Sequence, residues 1–131
     1  MPGVRIAVEG MGQVGEQALI IYLYDIGQRA EEMGMEALDA LLILQNHLTR
    51  AIEGPGIGEV DGHEIALDDS EGSLWVYGQD AKRMLSASLP VICRSPLARG
   101  GRATLHYGPV GEEAPEHESF ILADLCARLN S

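Results

Sequence analysis

Asp61, His63 and Glu64 have the side chains best suited to chemistry in this sequence. Side chains alternate along a strand, so the spacing predicts that Asp61 and His63 share one face. Such a group could hold a divalent metal, or act as a base, if another ligand came from elsewhere in the chain. Solvated acids around a turn explain the same residues more simply. We therefore predict no metal, no cofactor and no catalytic residue here.

A glycine-rich motif, Gly10-Met11-Gly12-Gln13-Val14-Gly15, directly follows a predicted strand at residues 4–8. In dinucleotide-binding folds this spacing permits a tight turn and close backbone approach to a pyrophosphate. The next segment, residues 18–24, is β-branched and aromatic and favours a strand over the helix that such a motif precedes. We predict a flexible strand connection, with small-molecule or nucleotide binding as the alternative.

Charge is unevenly distributed along the chain, whose formal net charge is −11. Residues 51–80 contain eight acidic residues and no Lys or Arg, whereas residues 81–111 contain five basic residues and no Asp or Glu. The net charge disfavours direct binding to nucleic acid or to an anionic membrane. The acidic block predicts a face that meets a basic protein partner. Solvated surface and head-to-tail self-association are the alternatives.

The acidic block surrounds a predicted β-hairpin, in which a turn at residues 68–72 joins strands at 59–67 and 73–78. His63, Ile65 and Leu67 are expected on one face of the first strand, and Gly72 is expected to supply tolerance of positive φ. If Leu74 and Val76 face the helices, the aromatic residues of the second strand lie on the other face of the sheet. The partner-binding candidates are Glu59, Asp61, Glu64, Asp68, Asp69, Glu71, Trp75 and Tyr77.

Hydrophobic periodicity predicts an α+β fold. From residue 17 the order is strand, helix, strand, strand, helix, strand, which is the ferredoxin-like split βαβ arrangement with two helices on one face of an antiparallel sheet. An extra N-terminal strand and a C-terminal helix from about Pro115 complete it, with a short strand at 119–122 as the alternative to the start of that helix. Residues 111–118 are expected to form a mobile acidic loop.

Two helices carry the predicted core. The first spans residues 28–53, although Gly34 could delay its ordered start, and Gly54-Pro55 ends it. The second begins after the predicted N-cap Asp80, and Pro90 should kink or end it. The apolar stripe of the first helix consists of Leu38, Leu41, Leu42, Gln45, Leu48 and Ile52, widened on one flank by Leu44 and Ala51.

Length and composition predict one domain spanning residues 1–131. No apolar run approaches the roughly 18 residues of a membrane-spanning helix, and no secretory signal is visible. Cys93 and Cys126 lie far apart in sequence. Reduced core thiols in a cytoplasmic protein are favoured for them, and a single disulfide is the alternative.

Four segments resemble a known group of proteins: Gly58–Glu64, Tyr77–Ala81, Leu89-Pro90 and Tyr107–Pro109. They resemble small bacterial proteins with ferredoxin-type α+β domains and are distantly similar to the ribonuclease E inhibitor B family. The similarity covers roughly residues 35–110. It implies a regulatory or inhibitory binding role without catalytic residues.

These features favour a non-enzymatic cytoplasmic binding protein. It would act as an inhibitor, regulator or immunity-type protein that masks the basic surface of a nuclease or toxin-like partner. One alternative is a small-molecule or nucleotide-binding domain, which could be an enzyme. Another is a homodimer with a structural role, whose sheets or edges pair.

Overall fold

The computed structural model describes residues 16–108 and 117–129. The strands in these ranges are β1 (Gln17–Tyr24), β2 (Glu59–Ile65), β3 (Glu71–Gly78), β4 (Arg102–His106) and β5 (His117–Ile121). The helices are α1 (Ile26–Glu32), α2 (Ala37–Glu53), α3 (Ala81–Ile92) and α4 (Leu122–Leu129), and a 3-10 turn, Pro96–Ala98, precedes β4. The predicted N-terminal strand, the glycine-rich motif at 10–15 and most of the predicted acidic loop lie outside the described residues.

The strands form one sheet in the order β2-β3-β1-β4-β5, and each neighbouring pair is antiparallel. The predicted α+β class and antiparallel sheet are therefore confirmed. The described sheet has five strands, because residues 117–121 extend it beyond β4 as a strand and only then does the chain enter α4. The alternative of a short strand was thus nearly correct, and a helix beginning near Pro115 is wrong.

Strand β1 is central and is buried on both faces, as its apolar run predicts. Leu19 and Ile21 point into the core beneath the helices, while Ala18 and Ile20 point to the opposite face. Leu74 and Val76 of β3 join the same helix-side core. The helices therefore cover one face of the sheet, hereafter the helix face, and the other is called the opposite face.

The single helix predicted over residues 28–53 is two helices. Gly34 has φ 76°, a left-handed conformation that a helix interior does not accept, so the chain turns there between α1 and α2. The delayed start that Gly34 predicted for this helix, and its end at Gly54, are confirmed by α2.

The predicted stripe of this helix is partly wrong. The core side of α2 consists of Ala37, Ala40, Leu41, Leu44, Leu48 and Ile52. Leu38 and Leu42 are exposed, and Leu44, predicted on a flank of the stripe, is buried. Ala37 and Ala40 are small and let the helix lie close to its neighbours. The buried side of α2 therefore includes these alanines and leaves Leu38 and Leu42 at the surface.

Helix α3 begins as predicted, with the Asp80 carboxylate accepting a hydrogen bond from the backbone N–H of Arg83 at 3.1 Å. Pro90 does not end it, since the helix continues to Ile92. Pro90 lies in the last turn, where little helix remains for the missing N–H to disrupt.

A disulfide joins Cys93, at the end of α3, to Cys126 in α4, with Cα atoms 5.6 Å apart. The expectation of reduced thiols is therefore wrong. The two helices pack together, and Leu122 and Leu125 of α4 are buried in the core. The packing brings the two cysteines within bonding distance although 33 positions separate them in sequence.

Candidate functional site

A β-bulge at Asp61 sets the directions of the side chains along β2. Val60 lies opposite Val76 and Gly62 lies opposite Trp75, so Asp61 is an extra residue on this strand. Gly62 has φ 143°, which side chains rarely permit. Alternation is broken here, and the prediction that Asp61 and His63 share a face by simple period two does not hold.

His63 points to the helix face. It lies opposite the buried Leu74, and its Nδ1 is 2.7 Å from Oε1 of Gln45 in α2. An amide oxygen can only accept, so His63 Nδ1 carries the proton of this hydrogen bond. This contact with Gln45 gives His63 a structural role between β2 and α2.

The hairpin turn is held by the start of α1. The N–H of Asp25 donates to the carbonyl oxygen of Ser70 at 2.6 Å, and the N–H of Gly27 donates to that of Asp69 at 2.9 Å. A Cβ on Gly27 would lie 3.2 Å from Cβ of Asp69, so the two segments approach closely. The acidic turn is therefore fixed to the body of the domain at its backbone.

Two details of the turn differ from the predictions. The residue with positive φ is Asp69, at 60°, and not Gly72, which already belongs to β3. A Cβ at Gly72 would lie 2.7 Å from the carbonyl oxygen of Glu64, so glycine is needed there for space. Leu67, expected on a strand face, is fully exposed because β2 has already ended at Ile65.

The turn stabilises its own negative charge. Ser70 donates hydrogen bonds to the Asp68 carboxylate from its side chain and from its backbone N–H, and they hold the pKa of Asp68 below its ordinary value. Asp68 therefore stays ionised at neutral pH while its carboxylate faces water.

Six predicted acidic residues are exposed on β2, in the turn and at the start of β3: Glu59, Asp61, Glu64, Asp68, Asp69 and Glu71. Glu64 extends over the opposite face towards Tyr22. The pKa of the Tyr22 hydroxyl is raised mainly by burial, and to a smaller extent by the charges of Tyr24 and Glu64. The acids thus run along β2 and around the turn, and we call this set the acidic edge.

Three further acids, which were not among the predicted candidates, adjoin the acidic edge. Glu31 of α1, Glu36 before α2 and Asp39 within α2 line a surface groove of about 580 Å³, which Asp69 closes from the turn. No Lys or Arg lines this groove. The sequence held a signal for it, since residues 30–49 contain four acids and no Lys or Arg.

The two aromatic candidates lie on the opposite face, as predicted from the burial of Leu74 and Val76. Trp75 is half-buried, and its indole N–H donates to the Ser73 hydroxyl at 2.9 Å. Tyr77 is buried, with a relative exposure of 9%. Trp75 is therefore the better placed of the two for a contact with a partner.

Sheet order places the acidic strand β2 and the basic end of β4 on opposite sides of the sheet. β2 is the outer described strand at one side, and β3 and β1 lie between it and β4. At about 4.8 Å per strand, β2 and β4 lie about 14 Å apart. The acidic edge therefore lies on the side of the sheet away from Arg102 of β4. Lys82 and Arg83 are in the first turn of α3, which packs against the start of β2, since a Cβ at Gly58 would lie 2.7 Å from Met84.

A second polar cluster lies where β4 meets β5. The imidazoles of His106 and His117 are stacked with their centroids 5.5 Å apart, and the buried Nδ1 of His106 has no hydrogen-bond partner. Burial lowers the pKa of His106, and the nearby His117 lowers it further. Beside them, the hydroxyls of Thr104 and Ser119 are 3.0 Å apart.

Among residues 16–108 and 117–129, no three His, Cys, Asp or Glu side chains are grouped so that they could hold a metal ion. None of the helices in the described part of the chain combines the length and the hydropathy needed to cross a membrane. No protein-family model, curated protein or solved structure matches this chain.

Proposed function

We propose that this protein is a non-enzymatic binding protein that masks the basic surface of a protein partner, such as a nuclease or toxin-like enzyme. It would then act as an inhibitor, regulator or immunity-type protein. The observation that carries this proposal is the acidic edge, whose turn is anchored to α1 and continues into the groove lined by Glu31, Glu36 and Asp39. Anchoring matters, because a partner then meets charges that are already in place.

Electrostatics gives the acidic edge a kinetic role. Exposed carboxylates contribute little affinity individually, but a one-signed surface raises association rates by about 10- to 1000-fold. Salt at about 0.15 M screens such attraction beyond about 8 Å. Association with a basic partner should therefore be fast and strongly dependent on salt.

The ferredoxin-like arrangement is part of the same proposal. Within the described sheet, β1 to β4 follow the order 2-3-1-4, and this order supports a split βαβ unit to which β5 and α4 are added. The resemblance to ribonuclease E inhibitor B proteins points to the same inhibitory class. The contact between His63 and Gln45 favours a structural role for this histidine over a role as a base or metal ligand.

The cytoplasmic location stays a prediction, and the disulfide argues against it. Disulfides are rare in cytosolic proteins, whereas Cys93 and Cys126 are bonded here. Trapping the thiols with an alkylating reagent in intact native cells would decide between the two. Two alkylated cysteines would support a reducing compartment, and none would support an oxidising one.

The test of the binding function is a matched pair of charge reversals. Glu64→Lys with Glu71→Lys changes the acidic edge, and Glu118→Lys with Asp124→Lys changes exposed acids of β5 and α4, outside it. Each pair shifts the formal net charge by +4, from −11 to −7. Each protein is immobilised and exposed to native lysate, and the bound proteins are identified and then purified.

We expect the wild type and the control pair to retain a basic protein whose catalytic activity the wild type inhibits. The acidic-edge pair should bind that protein at least about tenfold more weakly, and raising salt from about 50 to about 200 mM should weaken wild-type binding. Equal binding by both variant pairs, or binding that is indifferent to salt, would contradict the proposal.

A further inference from the structure

Three leucines are exposed beside the acidic edge. Leu38 and Leu42 of α2 have relative exposures of 47% and 37%, and Leu67 after β2 has 106%. Leu38 and Leu42 are one helical turn apart, so their side chains lie on the same flank of α2. A single exposed leucine would need no explanation, but neighbouring ones next to a charged surface do.

The contact between Gln45 and His63 orients the flank of α2 that carries Leu38 and Leu42. Gln45 lies three residues beyond Leu42 on the same flank of α2, so this flank faces β2. The chain reverses between the end of α2 at Glu53 and the start of β2 at Glu59. Moving from Gln45 back towards Leu38 along the helix therefore corresponds to moving from His63 forward towards Leu67.

The distances along the two elements agree. Seven helical residues from Gln45 to Leu38 cover about 10 Å, and two extended residues from His63 to the end of β2 at Ile65 cover about 7 Å, with Leu67 two residues further on in the turn. Leu38, Leu42 and Leu67 thus follow the junction between α2 and the end of the hairpin. We call them the leucine stripe.

Acids border the leucine stripe where the hairpin turn meets the start of α2. Asp68 and Asp69 follow Leu67 directly, and Asp39 lies next to Leu38 in sequence. Glu36 and Met35 line the adjoining groove together with Asp69. Met35 is partly buried against the core, and a flexible thioether adapts to different apolar groups. The surface therefore combines exposed apolar side chains with negative charge.

We propose that the leucine stripe docks an amphipathic helix of the partner protein that carries Lys or Arg around an apolar face. Charge complementarity selects this occupant, because the acids that border the stripe would repel an acidic segment and attract a basic one. The two leucines spaced one turn apart on α2 suit a helix lying alongside it. This inference rests on the proposed function and adds the form of the segment that the partner presents.

The test uses two synthetic peptides of about 18 residues. One places leucines at helical spacing i, i+3, i+4 and i+7 among lysines, and the other has the same composition in scrambled order. Binding is measured by calorimetry to the wild type and to the double variant Leu38→Ser, Leu42→Ser. Ile43→Ser is the control, because Ile43 is also on α2 and has a similar exposure of 44%.

We expect the patterned peptide to bind at least about fivefold more tightly than the scrambled one. The leucine double variant should lose that preference, and Ile43→Ser should keep it. Methyl NMR signals of Leu38, Leu42 and Leu67 should shift on addition of the patterned peptide. Circular dichroism of each variant would confirm that it is folded.

Two results would overturn the inference. In the first, both peptides bind equally to the wild type and the leucine variant, while Glu64→Lys with Glu71→Lys still abolishes binding. The proposed function would then stand without a helix-docking stripe. In the second, sedimentation shows that wild-type protein self-associates and that Leu38→Ser with Leu42→Ser abolishes this, so that a second copy of the chain covers the stripe. If the acidic-edge variant also binds both peptides normally, the electrostatic proposal fails as well.

Discussion

Nδ1 of His63 lies 2.7 Å from Oε1 of Gln45, and this contact joins the hairpin to α2. It is made possible by the bulge at Asp61, which turns His63 to the helix face. The acids of β2 and the turn remain exposed to solvent. One hydrogen bond therefore links the local irregularity of β2 to the proposed binding surface.

This link predicts an energetic coupling between the two side chains. Gln45→Ala and His63→Ala should each lower the free energy of unfolding by about 1 kcal/mol, since each leaves a half-buried polar group without its partner. The double variant should lose less than the sum of the single losses. Urea denaturation of the four proteins measures this, and strictly additive losses would show that the hydrogen bond contributes nothing.

Gly62 should be required by the backbone alone. A Cβ there would meet no atom within 4 Å, so any cost of Gly62→Ala comes from its φ of 143°. We expect a loss of about 1–3 kcal/mol in the free energy of unfolding. Gly108→Ala is the matched control, because it also has open space around it and no positive φ in the left-handed range. Equal stability of the two variants would contradict this account of the bulge.

The disulfide should stabilise the protein substantially. Cys93 and Cys126 close a loop with a sequence separation of 33, for which chain-entropy arguments give about 3–4 kcal/mol. Cys93→Ala with Cys126→Ala should lower the free energy of unfolding by about that amount. A thiol assay on unreduced, denatured wild-type protein should find no free cysteine. Two free thiols per chain would show that the bond does not form.

His106 should make stability depend on pH. Burial and then His117 lower the pKa of His106 in the folded protein. In the unfolded chain the pKa has its ordinary value of about 6.5. The unfolded state therefore binds more protons on this histidine. The contribution of His106 to stability is fully present above about pH 6.5 and is lost as the pH falls through the folded pKa.

The measurement is urea denaturation between about pH 5 and pH 7.5 for two variants. His106→Gln should show a shallower fall in stability towards acid than the wild type. His47→Gln, at an exposed position on α2, should keep the wild-type slope. If both variants follow the wild type at every pH, the His106–His117 pair does not control the response.

Local sequence signals predicted several elements well. The apolar run of β1 gave a central strand, the Asp80 N-cap gave the start of α3, and Gly54 gave the end of α2, because each signal acts over a few neighbouring residues. The block of acids with no intervening base likewise predicted an exposed acidic surface around the hairpin. These features depend on propensity, capping and charge, which a chain carries without reference to distant contacts.

Long-range packing decided the rest. The bulge at Asp61, the exposure of Leu38 and Leu42 and the bond between Cys93 and Cys126 depend on how segments far apart in sequence meet. The groove also needed the tertiary structure, since α1 and α2 contribute its acids and the turn contributes Asp69. Sequence by itself determined which residues carry charge and where strands and helices form. Only the packing of α2 against the hairpin decided that these charges border an apolar stripe, because burial of one arc of α2 leaves the adjacent arc at the surface.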